Sequence, residues 1–382
     1  MAVLAVFFLS ATAGFSAGQD PEWKAGISRI VITPEKPVFM SGYASRDHPS
    51  VGVVNDLWVK TLVLEDRAGH EALLITSDLI GFRADVGDPI CEAIMEKTGL
   101  ARDQILLNSS HTHTGPSLSA ESVIAGKMSE EDARGVFEYT RWLSARVVEA
   151  ALAAYKSERV PVTLSYGIGV APFVMNRREV TDTGVRLGVN PRGPADRSVP
   201  VLRIADAEGE LVAVVYQAAT HNTTLPGKFY QICGDYAGFS QEHIEHALPG
   251  VQAMFMLGCA GDANPYPGGT VEIAREHGAT LGNEVIRVLE EKSLLPVRGE
   301  LRTVYRKVDL PLRGLLSKKE IRELGMGKGG WRQYVAGQMM ELHEKGEPAL
   351  ESYSAPFALW QFGNDLTLVA LSGEVVVDYA LR

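Results

Sequence analysis

Two histidines at alternate positions, His111 and His113, are the residues whose types and spacing point most clearly to chemistry. They follow an apolar run at residues 105–107, and Gly115 and Pro116 after them are residues that end a strand. Because alternate side chains of a strand point to one face, we expect both imidazoles to meet at the exposed end of a strand. Imidazole nitrogens are ligands that suit zinc. The alternative is a pair of polar loop residues that hydrogen-bond locally, and the spacing alone does not decide between the two.

A third histidine lies at the end of another apolar run. Residues 211–218 lead into His221, which has small hydroxyl residues beside it. In α/β sheets the chemistry gathers at the carboxyl ends of the strands, so two strands that each deliver histidine favour a shared site. Taken by itself, His221 could equally be a polar residue that caps a strand end.

Two further segments with polar side chains follow apolar runs. The turn at residues 258–265 contains Asn264 among glycines and a proline, a composition that lets the main chain approach a ligand closely. Glu374 follows the apolar run at residues 366–371 and could supply a carboxylate to zinc, because two histidines, a glutamate and a water form a known hydrolytic set. Each segment also has an ordinary explanation, namely a polar turn and the first-turn acid of a helix capped by Ser372.

The composition indicates a globular protein with a substantial core. The chain has 382 residues, of which 46% are hydrophobic and 22% charged. The formal net charge of -10 argues against a nucleic-acid partner, because phosphate binding needs a basic surface. Three cysteines are too few for a disulfide scaffold, although Cys233 and Cys259 could pair in an oxidising compartment. No glycine-rich phosphate-binding pattern follows a strand, which disfavours a nucleotide-binding enzyme.

Residues 1–18 have the pattern of a secretory signal peptide. An apolar run at residues 2–15 is followed by the small residues 16–18, as in a cleavage region. No basic residue precedes the run, so a short membrane anchor is the alternative, although the run is short for a bilayer span. We therefore expect an exported protein, secreted or periplasmic, whose mature chain begins near Gln19.

Alternating strand-like and helix-like stretches without a sustained repeat predict an α/β fold, in which one large domain has a mixed β-sheet flanked by helices. The stretch at residues 176–197, rich in Arg, Gly and Pro, is predicted to be a long irregular binding loop or lid. Strands are predicted at residues 30–33, 57–64, 71–76, 105–107, 162–166, 199–204, 211–218, 253–257 and 366–371. Helices are predicted at residues 88–97, 239–248 and 271–291, with a further one that begins near residue 129.

Taken together, these segments resemble the catalytic domain of the neutral (non-lysosomal) ceramidases. The family's active-site histidines lie in a Thr-His-Thr-His-Ser-Gly-Pro type of segment, and residues 110–116 here read Ser-His-Thr-His-Thr-Gly-Pro. Residues 41–44 (Ser-Gly-Tyr-Ala) look like the family's opening loop, and residues 234–239 are similar to its Asp-centred segment. The resemblance extends over residues 25–382 and implies a neutral-ceramidase-like catalytic domain there.

The resemblance implies a zinc site and an activity. Zinc would be held by His111, His221 and Glu374. It would activate a water that attacks the N-acyl amide bond of ceramide or a related N-acyl lipid. The substrate is then a small-molecule lipid, and peripheral contact with a membrane surface is expected.

The resemblance also implies roles for residues around the metal. His113 would lie beside the ion, binding or polarising the substrate, and is the first candidate for the general acid. Arg177, in an Asn-Arg pair, would reach the active site. Asn264 occupies the position of a serine that the family needs for activity, and it can donate a hydrogen bond to a developing oxyanion. Asp235 is a candidate for orienting a ligand imidazole.

Departures from the family's pattern leave other functions open. Asn264 cannot act as an alkoxide nucleophile, and Tyr379 follows Glu374 too closely to match the family's metal-binding tyrosine. Because the sequence ends at Arg382 without the family's C-terminal β-sandwich domain, we expect a truncated reading frame. The alternatives are a ceramidase-like hydrolase of another N-acyl compound or ester, and a catalytically inactive exported binding protein.

Overall fold

The computed structural model describes residues 3–9, 21–119, 128–291, 293–312, 314, 316–326, 331–346 and 351–382. Its strands are β1 (Val3–Leu9), β2 (Trp23–Val31), β3 (Gly52–Val53), β4 (Trp58–Asp66), β5 (Glu71–Ser77), β6 (Ile105–Ser109), β7 (Val160–Val170), β8 (Val174–Asn176), β9 (Arg178–Thr181), β10 (Gly184–Leu187), β11 (Ser198–Asp206), β12 (Leu211–Ala218), β13 (Gln231–Ile232), β14 (Gln252–Leu257), β15 (Ala263–Pro265), β16 (Leu295–Val297), β17 (Leu301–Pro311), β18 (Ser352–Phe362) and β19 (Leu366–Ser372). Its helices are α1 (Ala84–Thr98), α2 (Glu130–Lys156), α3 (Asp235–Ala247), α4 (Val271–Leu289), α5 (Lys318–Gly325), α6 (Trp331–Lys345) and α7 (Asp378–Leu381).

A large mixed sheet forms the centre of the domain. Within the described residues it has nine strands in the order β14-β12-β11-β7-β2-β4-β5-β6, with β16 paired to β7. The hairpin β4–β5 pairs antiparallel, whereas the pairs β5–β6 and β12–β14 are parallel. Parallel pairing needs a crossover connection, and α1 and α3 supply it in these two places. The predicted α/β fold with a mixed sheet and flanking helices is confirmed.

Alternation along the strands divides the core into two faces of this sheet. On β12, Tyr216 packs with residues of α3 and α4, whereas Val215 faces the other way. That other face is covered by a second, four-stranded sheet in the order β1-β19-β18-β17, which contributes Trp360 and Leu368 to the shared core. The sequence patterns predicted only β19 of this second sheet.

The cap residues fix the limits of the helices that pack on the first sheet. The hydroxyl of Ser129 accepts a hydrogen bond from the main-chain N–H of Asp132, which caps the start of α2. Gly99 ends α1 in the left-handed conformation with a φ of 79°. Leu143 and Val147 of α2 are fully buried against the β4–β5 face of the sheet.

The stretch at residues 176–197 is more regular than predicted. It contains the hairpin β9–β10, in which Val180 and Val185 are directly opposite each other. The loop prediction was therefore wrong for this part, because a short strand whose residues are nearly all exposed lacks the apolar alternation by which strands are recognised.

The N-terminal region is described only in part. Residues 1–2 and 10–20, which include most of the expected cleavage region, lie outside the described residues. Val3–Leu9 forms β1 and pairs antiparallel with β19. The signal peptide therefore stays a prediction. Across the described ranges, none of the helices combines the length and apolar character that a membrane span requires.

Cys91, Cys233 and Cys259 are buried free thiols, so the possible pairing of Cys233 with Cys259 does not occur here. Burial raises the pKa of the Cys91 thiol to about 11 and that of the Cys259 thiol to about 12. These cysteines are packing residues and not nucleophiles.

Candidate metal centre and active site

Three imidazoles converge beyond the carboxyl ends of β6 and β12. The ring centroids of His111 and His221 are 4.7 Å apart, and the ring of His113 lies 5.0 and 5.5 Å from them. One ligand nitrogen from each histidine lies within 4.8 Å of the other two. His111 and His221 are buried and His113 is half-buried, so the group forms a shielded cluster that could hold a metal ion.

His111 reaches this cluster by a turn and not by strand alternation. β6 ends at Ser109, and His111 adopts a φ of 62°, a left-handed conformation that is uncommon for a residue with a side chain. Its main-chain N–H donates to the carbonyl of Leu79 at 2.9 Å, and its Nδ1 donates to the carbonyl of Ile80 at 2.6 Å. The prediction that an extended strand aims the two imidazoles was therefore wrong in its geometry, although the rings do meet. Strained backbone of this kind clusters at functional sites.

His221 is oriented by a second main-chain carbonyl. Its Nδ1 lies 2.7 Å from the carbonyl oxygen of Ala260, and since that oxygen can only accept, Nδ1 carries the proton. The Nε2 atom is then left with its lone pair facing the cluster. Burial lowers the pKa of His221, which keeps the ring neutral.

Asp235 does not orient either ligand imidazole, so that prediction was wrong. It is fully buried with a φ of 54°, and its carboxylate accepts hydrogen bonds from the main-chain N–H groups of Leu225 and Tyr236 at 3.1 and 2.6 Å. It fixes the start of α3 against the loop that follows His221. The carbonyls that do orient the imidazoles have no sequence signature, because every residue carries one.

His113 lies beside the other two imidazoles with its ring confined by the loop at residues 41–44. A Cβ on Gly42, which has a φ of 93°, would overlap the His113 ring. The ring of Tyr43 packs edge-on against it at 5.1 Å. Among the described residues, neither ring nitrogen of His113 has a hydrogen-bond partner. Burial, together with the neighbouring His111 and His221, lowers the pKa of His113 well below its ordinary value, so the ring is neutral.

The carboxylate of Glu374 completes one side of the cluster. Its Oε2 lies 3.2 Å from Nε2 of His221, and its Oε1 lies 3.6 Å from Nε2 of His111. Gly261 allows this approach, because a Cβ there would overlap the carbonyl oxygen of Glu374. The main-chain N–H of Gly261 also donates to the carbonyl of Val375 at 2.8 Å.

Arg177 and Asn264 lie beside the same cluster. The guanidinium of Arg177 donates to Oε2 of Glu374 at 3.3 Å, to the carbonyl of Gly261 at 2.7 Å and to Oδ1 of Asn264 at 3.3 Å. The hydroxyl of Thr223 donates to that same Oδ1 at 3.2 Å. Because the amide oxygen of Asn264 is engaged, its Nδ2 is the group that can donate to a ligand. Burial lowers the pKa of Arg177.

The structure thus brings together all six residues singled out as metal ligands or catalytic groups: His111, His113, Arg177, His221, Asn264 and Glu374. Tyr379, in contrast, lies on α7 with 54% of its surface exposed.

Asn222 is the positioning residue that the sequence reasoning missed. Its carbonyl accepts from the main-chain N–H of His113 at 3.1 Å, and its Oδ1 accepts from the N–H of Ala237 at 3.0 Å. Its Nδ2 donates to the carbonyl of Ser110. Asn222 therefore joins the two histidine-bearing loops to each other and to α3. Its position directly after His221 was the only available signal.

In comparisons with known proteins, the chain is similar to neutral ceramidases. No protein-family model matches the chain. Among curated proteins, the chain is 24% identical over 260 residues to the neutral ceramidase of Pseudomonas aeruginosa, which covers 64% of this chain and 37% of that protein. It is 22% identical over 266 residues to neutral ceramidase A of Dictyostelium discoideum, with 64% of this chain and 36% of that protein covered. The chain thus spans little more than a third of the length of these curated relatives.

Two solved structures share the fold. The crystal structure of neutral ceramidase from Pseudomonas aeruginosa superposes with a TM-score of 0.67 at 21% sequence identity, over 90% of this chain and 61% of that one. A ceramidase complexed with C2 gives a TM-score of 0.66 at 20% identity, over 90% of this chain and 62% of that one. The α/β architecture described above is therefore that of the aligned part of these proteins.

Proposed function

We propose, starting from the neutral ceramidase-family domain that this chain carries, that the protein is a metal-dependent hydrolase of N-acyl amide bonds. Its substrate would be ceramide or a related N-acyl lipid, and its metal would be zinc. We further propose that the protein is exported, which the apolar run at residues 2–15 and the small residues 16–18 support.

The contact between His221 and Glu374 is the observation that carries the proposal. Nδ1 of His221 is the protonated nitrogen, so its Nε2 lone pair faces a carboxylate oxygen at 3.2 Å. Two acceptors at that distance repel each other unless a proton or a metal ion lies between them, and burial of His221 disfavours the extra proton. His111 presents its Nε2 in the same way, since its Nδ1 also donates to a carbonyl. Two imidazoles and one carboxylate suit zinc, and the proposed ligands are His111, His221 and Glu374.

The anchoring of the rings supports a different role for His113. A metal-binding histidine usually donates its other ring N–H to a carbonyl or carboxylate, as His111 and His221 do here. Neither nitrogen of His113 has such a partner among the described residues. We assign His113 to the substrate, where its neutral ring can take up a proton and return it to the leaving amine.

Zinc at this position would polarise the amide carbonyl and make a water nucleophilic near neutral pH. Side chains of the protein would stabilise the negative charge that develops on the carbonyl oxygen. Arg177 and the Nδ2 of Asn264 lie where they can donate hydrogen bonds to the oxyanion, and removal of one such donor typically costs about 3 kcal/mol in the transition state. Because Asn264 stands in place of a nucleophilic hydroxyl, this route needs no attack by a side chain at that position.

Asn264 also favours a second candidate substrate class. An amide side chain in place of a serine changes the donors offered to the substrate, and a ceramidase-like hydrolase of a shorter N-acyl compound or an ester would then fit better. Ceramide would be a poor substrate in that case.

A metal analysis combined with a panel of N-acyl amides tests the proposal. We expect purified protein to hold about one zinc per chain and to hydrolyse at least one panel member. His111→Ala and His221→Ala should lose both zinc and turnover, whereas His246→Ala, an exposed histidine on α3, should keep both. A His111→Ala protein with full zinc and full turnover would contradict the proposal. Zinc bound without hydrolysis of any amide would favour an inactive binding protein.

A further inference from the structure

The hairpin β9–β10 carries an exposed apolar face. Val180 is directly opposite Val185, and Leu187 lies two residues beyond Val185, so all three side chains share one face of the hairpin. Their exposed fractions are 74% for Val180, 64% for Val185 and 67% for Leu187. Contiguous exposed apolar side chains on a soluble domain commonly mark an interaction surface.

The opposite face of the hairpin holds it together. Arg186 donates two hydrogen bonds to the carboxylate of Glu179, at 3.0 Å each. The hydroxyl of Thr181 donates to the carbonyl of Gly184 at 2.8 Å. A two-stranded hairpin is marginally stable by itself. Here the polar face supplies the cross-strand contacts, which leaves the apolar face open.

The hairpin starts from residues that line the candidate active site. The N–H of Gly188 donates to the carbonyl of Arg177 at 3.0 Å, at the base of the hairpin. Arg178 donates to the carbonyl of Gly261 at 3.2 Å, and the neighbouring Arg177 contacts Glu374. The base of the hairpin therefore adjoins residues that contact a proposed metal ligand.

We propose that this apolar face docks on the surface of a zwitterionic lipid bilayer and so places the active site next to lipid substrate. The choice of partner rests on the proposed function, because an N-acyl lipid resides in a bilayer. The net charge of -10 disfavours an anionic membrane and favours a zwitterionic one. Glu179 and Arg186 alternate with the apolar residues, and Arg178, directly opposite Leu187, places a basic residue at the edge of the apolar face, as in segments that lie at a membrane interface.

The size of the face favours a membrane over a protein partner. Three side chains of this kind offer a few hundred Å² at most, whereas a stable protein interface buries about 1,000 Å² or more. A shallow, reversible contact with a bilayer needs no such area.

Flotation with phosphatidylcholine vesicles tests the inference. The triple variant Val180→Thr, Val185→Thr and Leu187→Gln keeps strand-compatible residues at the two valine positions and removes the apolar face. The matched control makes the same changes at Val304, Val308 and Leu310, which are 38%, 46% and 47% exposed on one face of β17. We expect the hairpin variant to lose about tenfold or more in vesicle partitioning, and the control to partition as the unchanged protein does.

The outcomes separate this inference from the proposed function, because flotation requires neither zinc nor turnover. Equal losses in both variants, or no vesicle binding by the unchanged protein, would overturn it. A dimer that dissociates in the hairpin variant, without vesicle binding, would assign the face to a second copy of the chain and also overturn it. Hairpin-dependent flotation without amide hydrolysis would support the docking surface while the proposed activity fails.

Discussion

The Nε2 atom of His221 lies 3.2 Å from Oε2 of Glu374, while Nδ1 of the same ring donates to a main-chain carbonyl. A neutral imidazole has one donor and one acceptor, and the donor is already used. In the neutral ring, Nε2 of His221 and Oε2 of Glu374 are therefore two acceptors that face each other at the centre of the site. With a neutral ring, this arrangement is unfavourable unless a proton or a divalent cation lies between the two atoms.

Replacement of the carboxylate of Glu374 by an amide should have opposite effects on the stability of the metal-free and the metal-bound protein. In Glu374→Gln, the amide N–H₂ can donate to Nε2 of His221, so we expect the metal-free protein to be as stable as the unchanged protein or more stable. Zinc at 100 times its dissociation constant should stabilise the unchanged protein by about 3 kcal/mol, and the variant by much less. Thermal unfolding with and without zinc measures both effects. Equal stabilisation of the two proteins by zinc would contradict the assignment, and the exposed Glu300→Gln serves as the control.

The close contact between Gly261 and the main chain of Glu374 leads to a second prediction. A methyl group there would overlap the carbonyl of Glu374, so Gly261→Ala should displace Glu374 and destabilise the protein by about 1–3 kcal/mol. Zinc affinity should fall with it. Gly135→Ala is the control, because that position in α2 has open space and alanine favours a helix by about 1 kcal/mol. Urea unfolding and zinc titration of both variants decide the matter, and unchanged zinc binding in Gly261→Ala would count against the proposed role of Glu374.

Substitution of Asn222 by alanine should weaken zinc binding more than substitution by aspartate. In Asn222→Ala, the N–H of Ala237 and the carbonyl of Ser110 both lose their side-chain partner, which should cost about 1–3 kcal/mol per buried group. Asn222→Asp keeps the acceptor for Ala237 and loses only the donor, so its zinc affinity should lie between those of the alanine variant and the unchanged protein. Asn283→Ala, on the exposed surface of α4, removes only a surface hydrogen bond with His243 and should leave zinc affinity unchanged. Identical zinc affinity in all four proteins would show that Asn222 does not position the histidine loops.

A pH dependence follows from Asp78, whose carboxylate accepts hydrogen bonds from the N–H of Trp58 and from Gln241. Burial raises the pKa of Asp78 to about 6, although Lys60 and hydrogen bonds from Trp58 and Gln241 oppose the shift. The folded protein therefore binds a proton more tightly than the unfolded chain between about pH 4 and pH 6. The contribution of this group to stability is present at about pH 4 and below, and is lost as the pH rises through about 6.

Asp78→Asn isolates this effect. The stability of the unchanged protein relative to Asp78→Asn should fall by about 2 kcal/mol between pH 4 and pH 7. Gln241 can rotate its amide to accept from the new Asn, which limits the structural cost of the change. Urea unfolding of both proteins at the two pH values provides the test. A stability difference that does not vary with pH would mean that Asp78 titrates normally in the folded state.

The elements with strong patterns could be predicted from sequence, and the second sheet could not. β4, β5 and β12 are buried and rich in β-branched or aliphatic residues, and α2 carries a capping box, so all were predicted. β17 alternates charged with apolar residues, and most of its length is exposed, which resembles a solvated loop in sequence. Nothing local indicates that such a strand completes a sheet across the core.

The candidate site, like the fold, could be predicted from sequence only in part. The residue types that bind metals could be recognised, and the structure brings His111, His221 and Glu374 together. The left-handed turn at His111 and the carbonyls of Ile80 and Ala260 could not be recognised, because they depend on main-chain geometry. The resemblance to a known family grouped the three ligand residues, and the fold determines how their side chains are oriented.

X-ray absorption at the zinc edge of the purified, zinc-loaded protein tests the central claim most directly. We predict zinc bound by two imidazoles and a carboxylate oxygen, with the imidazole signal reduced in His221→Ala. Zinc that dialyses away completely, or a spectrum with oxygen ligands alone, would contradict the proposed centre of His111, His221 and Glu374.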